Sequence, residues 1–280
     1  MEQRLPDGVS KTAFGVGVFR ALHRIVDSEP WVIDDPISTL LFGDFARARL
    51  DRGVAPVLGH EGANALRGHV LVRSAFAEER LRAAVARGVR QCVVLGAGFD
   101  TFAYRQPAWM DGVRLFEVDA PATQAEKRAR LAAAGIAEPP NVVYAAIDFE
   151  RTSLAEGLRG AGLDLDAPAF FSWLGVMVYL TRDAVDAVFR AVASMPPESE
   201  IAFTFGQGGD SDQLAQRVAE LGEPLRTVVT IAELEALLVR HGFREYTILS
   251  VADAQRYLGK RSDRLRFPPR ESMATAIVSS

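Results

Sequence analysis

The chain has 280 residues, 49% of them hydrophobic, enough for one sizeable core or a core domain with a helical appendage. A formal net charge of -4 and a pI near 5.7 give no basic footprint for nucleic acid. Only Lys11, Lys127 and Lys260 among the 32 basic residues are lysines, a bias that fits GC-rich coding and says little about binding. Along the chain, "KTAFGVGVFRALHRIV" places Phe14, Val18, Leu22, Ile25 and Val26 in a helical rhythm. Pro30 stops that helix, and Asp34-Asp35-Pro36 restarts one with an acid at its N-terminus. The stretch Arg52 to His69 is rich in glycine and predicts a mobile connection within a lid. "VLVRSAFAEERLRAAVARG" then predicts an amphipathic helix ending at Gly88.

Beyond residue 90 strands alternate with helices. Strands are predicted at Gln91–Leu95, Val113–Val118, Val142–Ile147, Ala169–Trp173 and Glu200–Phe205. Helices fall between them at Pro121–Gly135 and Thr181–Met195. A helix at Ile231–His241, a strand at Arg244–Val251 and the apolar run "MATAIVS" complete the pattern, the last two as a hairpin closing the sheet. The expected fold is a doubly wound, mostly parallel α/β sheet with an antiparallel C-terminal strand. Residues 1–88 are expected to form a helical cap and residues 89–280 the sheet domain, together one globular unit.

Cys92 is the sole cysteine, so no intrachain disulfide forms, as suits a reducing cytosol. His23, His60, His69 and His241 are scattered, and no metal site is expected. The first 30 residues hold no long apolar stretch. No run of about 18 apolar residues appears. The expectation is a cytoplasmic chain with no signal peptide, no membrane span and no nucleic-acid partner.

"QCVVLGAGFDTFAYR" carries the chemistry. Gly96 and Gly98 sit at the carboxyl end of the first strand, where a parallel sheet binds ligands. Acids stand at the next strand ends: Glu117 and Asp119 after the second, Asp148 with Phe149 after the third. A carboxylate there can accept from a ribose diol, and an acid with an aromatic neighbour can hold a purine. A dinucleotide needs a third glycine for its pyrophosphate helix, and Thr101 fills that place. Asp100 opposes an anionic pyrophosphate but tolerates a sulfonium, so the turn favours S-adenosylmethionine over NAD. The alternatives are an NAD-dependent oxidoreductase and a methyltransferase fold repurposed for binding.

The segments "VVLGAGFDTFAYR", "FEVDAPATQAEKRARL" and "FFSWLGVMVYLTRDAV" resemble the leucine carboxyl methyltransferase family. The N-terminal "VSKTAFGVGVFRAL", "DDPIS" and "VRSAFAEERL" match in order as well, so the resemblance covers about residues 9 to 205. It implies a class I methyltransferase with S-adenosylmethionine as cofactor and S-adenosylhomocysteine as product. Arg73 would hold the methionine carboxylate, and Gly96, Ala97 and Gly98 would line the methionine and ribose. Asp119 would bind the ribose hydroxyls, and Asp148 with the Phe149 backbone would read adenine. Tyr179 falls where the family has a tyrosine near the substrate carboxylate. One departure is Leu174, where many members carry an acid before the glycine; its backbone carbonyl is a candidate substitute.

The expected activity is O-methylation of a carboxylate, or a hydroxyl, on a small molecule or peptide of secondary metabolism. A protein chain terminus is a further possible acceptor. A carboxylate is ionised at pH 7 and needs no general base, whereas a phenol of pKa about 10 does. No histidine stands at a strand end, which favours the carboxylate. Arg105 and Tyr179 are the candidates for orienting the acceptor.

Overall fold

The computed structural model describes residues 5–51, 61–149, 153–207, 212–261, 263–270 and 272–279. The helices are α1 (Lys11–Val26), α2 (Pro36–Asp51), α3 (Glu61–Ala86), α4 (Pro121–Ala133), α5 (Leu154–Gly160), α6 (Arg182–Ala193), α7 (Asp212–Glu220), α8 (Ile231–Arg240) and α9 (Val251–Leu258). The strands are β1 (Gln91–Leu95), β2 (Arg114–Asp119), β3 (Val142–Ala146), β4 (Phe170–Trp173), β5 (Glu200–Thr204), β6 (Glu245–Ile248) and β7 (Met273–Ile277). They form one sheet in the order β3-β2-β1-β4-β5-β7-β6. The pairs from β3 through β5 are parallel, and β7 runs antiparallel to both β5 and β6. The mostly parallel, doubly wound sheet with an antiparallel C-terminal strand is therefore present.

The short apolar runs become strands because both faces of the sheet are covered. Successive side chains alternate between two cores. Val93, Phe116, Phe171 and Ile201 pack under α5, α6 and α8. Cys92, Leu115, Phe170 and Ala202 pack under α3 and α9. Burial raises the Cys92 thiol far above its ordinary range, so it stays protonated and inert. A third core joins α1 and α2 to the glycine turn. There Phe99 meets Phe14 and Phe42 edge-on, with ring centroids at 5.8 and 5.5 Å.

The helices start where their polar residues can cap them. Ser10 Oγ accepts from the Ala13 amide at 3.0 Å, and Thr230 with Glu233 forms a capping box on α8. Asp35 accepts from the Ser38 amide at 2.9 Å at the start of α2. The glycine-rich stretch differs from expectation. Residues 52–60 lie outside the described residues, but 61–69 are helical and continue unbroken into α3. The predicted C-terminal strand is shorter than expected, because Ser250 caps α9 directly after it.

Candidate active site

The parallel pairing brings three strand ends level. Leu95 of β1 pairs with Val118 of β2, and Asp119 pairs with Ala146 of β3. Past β1 the chain bends through Gly96 and Gly98, at φ +66° and +49°. A side chain at position 96 would collide with Val176, so this turn requires glycine. The Ala97 amide donates to Val118 O at 2.9 Å. Asp119 accepts from the Gly98 amide, and its other oxygen accepts from the Ala120 amide at 2.7 Å. Each carboxylate oxygen keeps acceptor capacity for a ligand hydroxyl. Burial raises the Asp119 carboxyl, and the two amides oppose that shift. Asp148 and Phe149 follow the end of β3, half-buried, with Phe149 leaning on the sheet core. The Ile147 amide binds Asp119 O at 3.0 Å and holds this end beside β2.

Arg73 approaches from α3. Its guanidinium lies against the backbone of Gly175, just past β4, where φ is +73°. The Gly175 amide is fixed by Thr204 Oγ1 at 2.7 Å. Arg73 makes no hydrogen bond or ion pair with a described residue. Burial, reinforced by Arg20, lowers it to about 10, while Tyr179 and Asp100 pull the other way. It therefore remains a cation at neutral pH, half-buried and without a paired anion among the described residues. Tyr179 closes the 3-10 segment Met177–Tyr179 and is raised chiefly by burial, so it keeps its proton. Leu174 packs against the α3-side core.

Beneath the turn lies a charged network that couples it to the cap. Arg20 Nε donates to Asp35 at 3.0 Å and its Nη1 donates to Asp100. Thr101, fully buried, donates its hydroxyl to Asp35 at 2.6 Å. Asp100 is thus neutralised by Arg20. Arg105 is forked onto Glu78, with Asp35 at 4.0 Å, and so is held within this network. Glu117 also drops out as a ribose acceptor. Lys127 Nζ donates to both its oxygens at 2.7 Å in a buried pair.

Arg20 and Asp35 escaped the sequence reading, although an arginine inside the apolar face of α1 signals a buried partner. The turn leads into the three-residue 3-10 segment Phe102–Tyr104, where a dinucleotide site needs the N-terminus of a full helix. Among the described residues, no group of acids, histidines and cysteine is placed to hold a metal, and no helix is long and apolar enough to cross a membrane.

Residues 13–193 match the family model described as leucine carboxyl methyltransferase. YktD of Bacillus subtilis (strain 168), named as a candidate S-adenosyl-L-methionine-dependent methyltransferase, is 32% identical over 206 residues, 70% of this chain and 67% of its own. SCO7813 of Streptomyces coelicolor, named in the same way, is 32% identical over 215 residues, 75% of this chain and 74% of its own. A candidate methyltransferase structure from Thermobifida fusca superposes with a TM-score of 0.58 at 18% identity, covering 86% of this chain and 93% of its own. A DUF574 family protein from Streptomyces avermitilis gives 0.57 at 18%, covering 94% and 96%. At that identity the structural likeness is one of fold.

Proposed function

Because the chain belongs to the leucine carboxyl methyltransferase family of S-adenosylmethionine-dependent methyltransferases, we propose that Arg73, the glycine turn, Asp119 and Asp148 hold the methyl donor, and that the acceptor is a carboxylate. The observation that carries this reading is the Arg73 cation, unpaired among the described residues, across the sheet end from Asp119. The donor is a zwitterion joined to an adenosine. A guanidinium without an anion suits its carboxylate, and an acid with spare lone pairs suits its ribose diol. Gly96, Ala97 and Gly98 let the donor approach the backbone between them, with Asp148 and Phe149 at the adenine end.

When bound, S-adenosylmethionine supplies an electrophilic methyl group on its sulfonium. The chain's own work is then to bind, orient and exclude water. Tyr179, kept protonated by burial, donates a hydrogen bond that orients the acceptor. A carboxylate acceptor arrives ionised and needs no proton removed. The described histidines support this choice. His23 is held by Asp27 at 2.8 Å and by the Val32 amide at 2.9 Å, and His241 by Asp186 at 2.6 Å. His69, one helical turn before Arg73, is lowered to about 3 by burial and by Arg73, too weak a base for a hydroxyl. His60 lies outside the described residues. A small-molecule or peptide acid of secondary metabolism is the acceptor class we favour.

The test is turnover with S-adenosylmethionine labelled in the methyl group, against a panel of carboxylic acids and phenols. A methyl ester releases its label as volatile methanol in mild base, and an ether does not. Label that stays in base-stable product would overturn the carboxylate assignment.

A further inference from the structure

The first turn of α1 roofs the proposed donor site. Ala13 lies over Gly98, 3.0 Å from where a side chain at that glycine would begin. The Ser10 amide donates to Thr123 Oγ1 at 3.1 Å, beyond the end of β2. On its other side Thr12 faces the Tyr179 hydroxyl, whose neighbour is Arg73. One helical turn thus spans from the ribose side of the site to its anion-binding side.

A second segment fastens that turn from outside. Between α7 and α8, the Arg226 and Thr227 amides donate to Val178 O at 2.7 and 3.2 Å, and Thr227 Oγ1 donates to Leu180 O at 2.7 Å. Glu223, on the same segment, reaches α1. Its Oε1 accepts from the Lys11 amide at 2.6 Å and the Thr12 amide at 3.4 Å. Its Oε2 accepts from the Ser10 hydroxyl at 3.0 Å and from the Thr12 hydroxyl. The first amides of a helix have no partners within it and form the positive end of its dipole, so a carboxylate is well held there. No cation is paired with Glu223 among the described residues; the Lys11 ammonium goes to Leu221 O at 3.2 Å instead. Opening this contact returns neutral donors and one half-exposed carboxylate to water, and strands no buried charge.

We propose that Glu223 is the clasp of a gate over the donor site. Its carboxylate holds the first turn of α1 down on the bound donor, and must let go whenever spent donor is exchanged for fresh. This rests on the assignment of the donor to Arg73, Gly98 and Asp119. Release of the product nucleoside is then set by opening of the clasp, as in enzymes whose lids limit turnover.

The experiment uses S-adenosylhomocysteine in stopped-flow binding to the full chain, its Glu223→Gln variant and its Thr12→Val variant. Hydrogen exchange at residues 11–14 is followed in parallel. Glu223→Gln keeps the shape and loses the charge. It is expected to speed ligand release about tenfold or more, leave capture equal or faster, and accelerate amide exchange at Lys11 and Thr12. Thr12→Val is expected to shift all three the same way, more weakly. Unchanged release in Glu223→Gln would overturn the gate. So would faster release with slower capture, which marks damage to the site itself. A wild-type protein that binds no S-adenosylhomocysteine would sink the donor assignment together with the gate. One that binds it, beside variants that release it no faster, would sink the gate alone.

Discussion

The Arg73 guanidinium packs on the backbone of Gly175, its Nη1 2.5 Å from where a Cβ at that glycine would stand. Gly175→Ala therefore acts twice. A side chain at φ +73° costs about 1 kcal/mol of stability. The methyl group also pushes aside the flexible end of Arg73, so the cation leaves its place. The expected result is a small loss in urea denaturation with a roughly tenfold weaker affinity for S-adenosylhomocysteine by calorimetry. Full affinity in this variant would show that Arg73 does not hold the donor carboxylate.

Arg73 itself should show opposite effects on stability and binding. Folding lowers its pKa to about 10, chiefly by burial, so the folded state disfavours the charge that the unfolded chain carries freely. Keeping it charged at pH 7 is a cost that an anionic ligand offsets. Arg73→Met is expected to melt at the same temperature as the wild type or higher when ligand is absent. It should lose the stabilisation that S-adenosylhomocysteine gives the wild type, and bind it about 10- to 100-fold more weakly. A variant that melts lower and still binds would reverse the assignment.

Some of this was legible from the chain and some was not, for physical reasons. The strands at β1 and β4 announce themselves because runs buried on both faces are continuously apolar, and Gly96 and Gly98 mark a bend that only glycine makes. Asp119 was readable because its strand end fixes where it points. The Arg105 contact to Glu78 was not legible, because a cation beside a glycine turn looks the same in sequence whatever it meets. The N-terminal part of α3 was hidden by its glycines, which lower helix propensity but are overridden by packing. Glu223 left no local signal, since its partners Ser10 to Thr12 lie more than 200 residues away.

Glu117 and Asp119 stand two residues apart on the same face of β2, but Lys127 occupies both Glu117 oxygens, so their variants should separate cleanly. Glu117→Gln leaves the Lys127 ammonium buried without a carboxylate, at a cost of about 3 kcal/mol. Donor affinity should stay within about twofold, because both Glu117 oxygens are already held by Lys127. Asp119→Asn should cost less stability and weaken S-adenosylhomocysteine about tenfold or more, as its amide turns a donor toward the Gly98 or Ala120 N–H. Denaturation and calorimetry on the same samples check both. Equal losses of affinity would mean that Glu117 also touches the ligand.

Acid should attack the joint between cap and turn through Asp100. Burial pushes this carboxyl up, but Arg20, then Arg105, Lys127 and the Phe102 amide, override it and hold it well below the ordinary range. Asp35 shifts the same way, its burial outweighed by Arg20, Arg105, Ser38 and Thr101. A native carboxyl more acidic than its unfolded counterpart, near pKa about 3.9, gives stability that is complete above that value. The contribution is lost as pH falls from about 4 toward the native value. Wild-type protein should therefore lose stability steeply below about pH 4. Asp100→Asn should begin about 2 kcal/mol less stable at pH 7, with Arg20 keeping Asp35 as partner, and fall less steeply in acid. The measurement is urea denaturation across pH 2 to 7. An acid limb of undiminished slope in the variant would show that Asp100 is not among the groups that acid protonates to open this joint.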